Sequence, residues 1–177
     1  MFSEEVKDAV TVQEYGRKTE IRGVEVVELQ RHNDEGGALT ELLRLTSGKP
    51  DNLSGFEVSQ INYSTMESGH LKAFHVHPNQ TDVWFVSPED KVLLVLIDVR
   101  KGSATERASM RVVMGDGNSR LVLIPPGVAH GAKNLGSSVA RMIYFVDRHF
   151  DSRSSHTEEY RLPWDFFGKE IWDAVRE

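Results

Sequence analysis

Apolar positions in this chain come in short bursts rather than at helical spacing. The segments VEVVEL, ALTELLRLT, FEVSQINYS, LKAFHVH, DVWFVS, KVLLVLIDVR, ASMRVVMG, RLVLIPP and ARMIYFVD follow one another between residues 24 and 147. Each is a strand-length run rich in aliphatic, β-branched or aromatic residues. The clusters NDEGG, SGKPDN, ESG, HPNQ, SPED, RKGS, GDGNS, PPG and LGSS separate them and carry turn-forming residues. Many short strands with no helices between them predict an all-β fold, an antiparallel sandwich or barrel of jelly-roll type. Ser3 followed by two glutamates predicts a short helix within the first twenty residues. The tail PWDFFGKEIWDAVRE is expected to form a final helix or an ordered strap across the barrel.

Composition narrows the picture. At 177 residues with 39% hydrophobic content, the chain suits a single domain spanning 1–177 with a real core. With no cysteine, disulfide scaffolds and zinc–thiolate sites are excluded. The longest aliphatic run, Val92 to Ile97, is too short to cross a bilayer, and the N-terminus has neither a basic nor an apolar leader region. The reading is therefore cytoplasmic. A net charge of −6 with both signs interspersed leaves no footprint for nucleic acid or an anionic membrane. Small-molecule chemistry or protein binding remains.

The stretch LKAFHVHPNQ places His75 and His77 two residues apart. On a strand both rings therefore point to one face. Gly69, His75, His77 and Asp82, followed by Pro125, Gly127, His130 and Asn134 in PPGVAHGAKN, form a two-part pattern. A lone histidine on an apolar strand is ordinarily a hydrogen-bonded core or rim residue. Three converging imidazoles are costly unless something uses them. His32, His70, His149 and His156 lie among polar or turn residues and read as solvated.

The two-part pattern resembles the signature of the cupin superfamily, small jelly-roll barrels with a site inside the mouth. Asp82 stands where that signature has Glu, and Glu89, Asp90 and Ser119 occupy its glycine positions. A narrower resemblance runs from Gly23 to Asp165. DEGGALTE keeps Asp34, Gly37 and Glu41, and LKAFH, DVRKGSAT (Asp98 to Thr105), IPPGVAHG (Ile124 to Gly131) and RMIYF follow in order. Together they resemble the dTDP-4-dehydrorhamnose 3,5-epimerase family, nucleotide-sugar epimerases on the cupin barrel. The resemblance implies His75 as catalytic base, Tyr144 as general acid and Asp165 as the carboxylate supporting the base. Glu41, Lys72, His77, Gln80 and His130 are expected to bind a nucleotide-activated 4-keto-6-deoxy sugar. It implies no cofactor, and a homodimer paired through edge strands. The plainer alternatives are a core tyrosine for Tyr144 and a helix N-cap for Asp165.

Departures from the family pattern fall on its phosphate-contacting cations: Gly36 and Lys72 replace arginines, and Asp82 replaces a lysine. Gly36 carries no charge, Lys72 lacks a bidentate fork and Asp82 repels an anion. A second reading uses the same residues. His75, His77, Asp82 and His130 form a nitrogen–oxygen donor set for a divalent transition metal, which would support oxygenase or isomerase chemistry. A third reading is a non-catalytic sugar-sensing barrel that keeps Trp84 and Phe85 in the pocket.

Overall fold

A computed structural model describes residues 2–11, 20–153 and 157–174. Its strands are β1 (Glu25–Glu28), β2 (Arg31–Asn33), β3 (Ala38–Thr40), β4 (Leu45–Thr46), β5 (Lys49–Pro50), β6 (Gln60–Met66) and β7 (Leu71–Val76), followed by β8 (Asp82–Val86), β9 (Lys91–Asp98), β10 (Ser109–Gly115), β11 (Arg120–Ile124), β12 (Val128–Asn134), β13 (Ala140–Val146) and β14 (Tyr160–Arg161). Two five-stranded antiparallel sheets carry the fold, in the orders β1-β11-β8-β13-β6 and β10-β9-β12-β7-β14. The hairpins β2-β3 and β4-β5 stand beside them. This is the all-β jelly roll expected. The N-terminal helix is one turn, Glu4–Lys7, with Ser3 at its N-cap, and a 3-10 turn covers Lys169–Trp172. No helix among the described residues is long and apolar enough to cross a membrane.

Antiparallel strands with one solvated face alternate apolar and polar residues, but β8 and β9 read as unbroken apolar runs. The structure gives the reason: both sheets are covered on both faces. Between the sheets, Trp84 and Val86 of β8 meet Val92, Leu94 and Leu96 of β9 in one buried cluster. The intervening Val83 and Phe85 point outward beneath Leu53 and Phe56. Leu93, Val95 and Ile97 point outward beneath Phe74 and Trp172. Phe85 is thus an outer-face core residue, which corrects its expected place in the pocket.

The C-terminal segment is the strap anticipated from the sequence. Phe74 and Leu162 exchange backbone hydrogen bonds at 3.1 and 3.0 Å. The Phe74 ring packs at 5.1 Å against both Phe167 and Trp172, and Trp172 Nε1 donates to the Trp164 carbonyl at 2.9 Å. Two expectations shift. ALTELLRLT is not one strand, because Leu42 and Leu43 leave the hairpins to pack on the outer cluster with Phe56. The run VAHGAKN, too small and polar to announce itself, is β12 at the centre of its sheet. A Cβ at Gly131 would lie 2.3 Å from Ala73 Cβ, so the β12–β7 approach excludes larger side chains there.

The motif DVRKGSAT proves to be a folding device. Asp98 has no solvent exposure. Its carboxylate accepts Nε and Nη2 of Arg100 at 2.7 and 2.8 Å, and the hydroxyls of Ser103 and Thr105 at 2.7 and 2.6 Å. Arg100 Nη2 also donates to the Arg22 carbonyl at 2.7 Å, tying in the segment that precedes β1. The Arg100 hydrogen bonds hold the Asp98 carboxyl well below the usual carboxylate range. Asp98→Asn should cost about 3 kcal/mol, since it leaves a buried network broken and Arg100 unpaired. A depressed pKa contributes stability that is fully present above the unfolded value and fades as pH falls below about 4. The difference in Tm between wild type and Asp98→Asn, measured by thermal denaturation, should therefore be largest near neutrality and narrow below that pH.

Candidate functional site

The strand registers show where the core gives way to a cavity. In one sheet Val122, Trp84, Tyr144 and Asn62 lie in cross-strand register on the inner face. In the other, Met110, Leu96, His130, His75 and Arg161 do so. Each row runs from aliphatic to polar. At the polar end, between β6 and β7, the sheets enclose a cavity of about 620 Å³, a volume suited to a small ligand.

His75 on β7 and His77 just beyond its end both line the cavity, as the two-residue spacing predicts, and β12 brings His130 directly opposite His75. The His75 and His130 rings stack with centroids 6.0 Å apart, and the His77 and His130 centroids are 5.1 Å apart. The convergence expected of two sequence-distant segments is present. Lys72 also lines the cavity, although a regular strand would turn residues 72 and 75 to opposite faces. A register shift between His130 and Ala132 in the β12–β7 pairing produces this. Lys72 Nζ reaches across to Ser64 Oγ at 3.0 Å and to the Thr65 carbonyl at 2.8 Å.

The polar groups fall into two sets. In the first, His75 Nδ1 stands 3.6 Å from Glu159 Oε2. Contact with His75 holds the Glu159 carboxyl below its ordinary value, against the opposing effects of burial and Asp82. In the second, Asp82 Oδ2 lies 3.7 Å from His77 Nε2 and 3.6 Å from His130 Nε2. Gln80 Nε2 donates to Asp82 Oδ1 at 2.8 Å and Trp84 Nε1 to Oδ2 at 3.0 Å. Burial pushes the Asp82 carboxyl up, but His130, His77 and Trp84 together outweigh it and bring it down to about 2. Asp82 is thus a buried, ionised carboxylate. The ligand atoms of His77, Asp82 and His130 lie within 4.8 Å of one another, close enough to share one cation.

Tyr144 enters the cavity from β13, on the sheet facing His75, with its ring 6.0 Å from that of Trp84. Burial, with Asp82 and Glu159 nearby, raises its phenol above the usual value, so it is a proton donor at neutral pH.

Not every expected residue is here. Gln80, Lys72, His77 and His130 line the cavity. Glu41 does not: it is exposed and paired with Arg44 at 2.8 Å. Asp165 sits on an exposed turn of the strap, where its carbonyl accepts the Gly168 N–H. Glu159, six residues earlier, stands beside His75 instead. Gly36 lies in the exposed β2-β3 turn, its N–H bonded to Asp34. The four-ligand metal set is also reduced, because His75 turns to Glu159 and leaves His77, Asp82 and His130 as the cluster. Glu159 and Arg161 were missed because the polar stretch around β14 has no strand alternation. Only its pairing with β7 brings both to the cavity. His32, His70 and His149 are exposed as expected, and His156 lies outside the described residues.

Comparison with known proteins identifies the family and the fold. Residues 18–164 match the family described as dTDP-4-dehydrorhamnose 3,5-epimerase. Over 145 residues, 82% of this chain and 91% of the relative, the sequence is 37% identical to the spore coat polysaccharide biosynthesis protein SpsL of Bacillus subtilis. The fold superposes on a dTDP sugar isomerase from Desulfovibrio desulfuricans with a TM-score of 0.72 and 28% identity, covering 82% of this chain and 87% of that one. It also superposes on dTDP-6-deoxy-D-glucose-3,5-epimerase from Legionella pneumophila, solved in complex with dTDP-4-keto-L-rhamnose. That match has a TM-score of 0.70 and 25% identity, covering 83% of this chain and 76% of that one. The chain belongs to the dTDP-4-dehydrorhamnose 3,5-epimerase family.

Proposed function

We propose that this enzyme epimerises a nucleotide-activated 4-keto-6-deoxy sugar at a carbon next to the ketone. The observation that carries the reading is that His75 and Tyr144 enter one cavity from opposing sheets. A hydrogen beside a ketone is removable because the electrons left behind pass to the ketone oxygen as an enolate. His75, with Glu159 behind it to hold its ring and offset the charge it gains, takes that proton from one side. Tyr144, kept protonated by its surroundings, returns one from the other side and so inverts the carbon. Only protons move, so the reaction itself requires no redox cofactor.

The Legionella relative's dTDP-4-keto-L-rhamnose suggests the ligand class. Lys72 in the cavity and Arg161 at its mouth supply positive charge for a diphosphate. Asp82, on the other hand, excludes phosphate from its own part of the wall, so the sugar rather than the diphosphate lies against Asp82. The proposal includes a single cupin domain acting in the cytoplasm as a homodimer. Support for pairing comes from β6, an edge strand whose Ile61 and Tyr63 are 62% and 65% exposed.

In deuterated buffer, a dTDP-4-keto-6-deoxy sugar should acquire deuterium at C3 or C5 by NMR, and His75→Asn should lower the rate by about 10²–10⁴-fold. Tyr144→Phe should retain washout of the hydrogen facing His75 while losing the inverted product, a split that simple misfolding would not give. Glu159→Gln should lower kcat more than it raises KM, whereas Asp165→Asn should behave as wild type; the reverse pattern would return the supporting role to Asp165. In light scattering, the wild type should run as a dimer and Ile61→Lys/Tyr63→Lys as a monomer.

A further inference from the structure

We propose that a second cavity, beneath the C-terminal strap on the outer face of its sheet, binds a nucleotide. It encloses about 550 Å³, a volume suited to a small ligand. Leu71 and Ala73 of β7 line it and the candidate site alike, so this stretch of β7 is the wall between the two. No other residue is common to both. Lys133 of β12 stands on the sheet side, and the strap supplies Trp164, Lys169, Trp172 and Asp173.

The charges decide what enters. Lys133 Nζ donates to the Trp172 carbonyl at 2.9 Å, and Lys169 Nζ lies 5.6 Å from the centre of the Trp164 ring. Neither ammonium is paired with a carboxylate among the described residues, in a chain whose net charge is −6. An ammonium has three N–H donors, so a partly buried Lys133 with one carbonyl keeps two for a ligand. Two lysines against Asp173 leave the lining with a net charge of +1. A phosphate group, with several acceptor oxygens, satisfies both ammonium groups at once. The rest of the lining selects a base rather than a sugar. Trp164 lines the cavity yet is 44% exposed, an indole surface left for a partner. Nucleobases stack on such surfaces. Apart from the lysines and Asp173 the lining side chains are apolar, so sugar hydroxyls would be buried with few partners.

Occupancy has a structural consequence. Lys133 belongs to the sheet and Lys169 to the strap, so a phosphate shared between them bridges the two. The same strap is hydrogen-bonded to Phe74 through Leu162 and brings Glu159 and Arg161 to the candidate site. A nucleotide therefore holds those two groups against β7 from behind. By linkage, ligands in the two cavities reinforce each other's binding. The nucleotide site itself does not depend on the epimerase reading.

The test titrates the full-length chain by calorimetry with AMP, ADP, ATP and dTDP, and in parallel with adenosine, ribose 5-phosphate and inorganic phosphate. Amide hydrogen exchange read by mass spectrometry locates each bound ligand. At least one nucleotide should slow exchange across residues 163–173 and at 71–74, and should bind 10-fold or more tightly than any of the three partial ligands. Lys133→Met/Lys169→Met and Trp164→Ala should each weaken that binding at least 10-fold, whereas Lys72→Met should leave the protection of 163–173 in place. Should the double variant fail to fold, Lys169→Glu, at an exposed position, serves instead. The proposal is overturned if no nucleotide binds, if protection is confined to the candidate site at residues 60–66 and 142–150, or if the lysine variants bind as wild type. It is equally overturned if inorganic phosphate or ribose 5-phosphate binds as tightly as every nucleotide. The epimerase reading is judged separately by deuterium incorporation from the keto sugar, so either can fail while the other stands.

Discussion

The structure depends on the antiparallel pairing of the C-terminal strap with the free edge of β7. Without it β7 would present a row of unpaired backbone groups, and Phe74 would lie open to water. The strap closes that edge through Tyr160 and Arg161 and buries Phe74 beneath Phe167 and Trp172. The same docking equips the inner face. The carbonyl of Glu158 fixes the His77 tautomer, Glu159 reaches His75, and Arg161 stands at the mouth of the cavity. One backbone contact thus positions several groups of the candidate site, so site geometry and edge stability are coupled.

A second constraint is the division of the polar residues. Four ionisable groups, His75, His77, His130 and Asp82, look interchangeable as a list, but the structure partitions them. His75 is paired with a partly exposed glutamate whose ionisation His75 itself favours. His77 and His130 are committed by carbonyl contacts to face a carboxylate whose ionisation His130, His77 and Trp84 favour. On the reading proposed above the first set moves a proton, while the second buries one carboxylate between two imidazoles. Neither needs the other's residues, and the stacked His75 and His130 rings mark the seam between them.

Much of this was legible in the sequence because it follows from the period-two geometry of strands. The shared face of His75 and His77 and the strand-rich class come from alternation and turn chemistry, whereas Tyr144 is singled out only by the family resemblance. What escaped depends on contacts between distant segments. Lys72 needs a register shift that no local pattern encodes. β12 is built from small residues because Gly131 lies against Ala73, so it lacks the bulky strand formers that signal a strand. Glu159 and Arg161 sit in a polar stretch whose conformation is set by the edge it docks on, whereas Asp165 is singled out only by the family resemblance. DVRKGSAT shows the converse: a motif shared with the family can serve folding, since Asp98 is fully enclosed by Arg100, Ser103 and Thr105.

The gradient along each inner face, from Met110 and Leu96 to His75 and Arg161 and from Val122 to Asn62, has an evolutionary consequence. The end that drives collapse and the end that meets the ligand are different stretches of the same sheets. Substitutions at Asn62, Ser64 or Gln60 can therefore drift without disturbing the aliphatic half, and the scaffold tolerates experiments in ligand preference at small cost to its own integrity. Such mutational insulation is a physical route by which one architecture diversifies across many sugars.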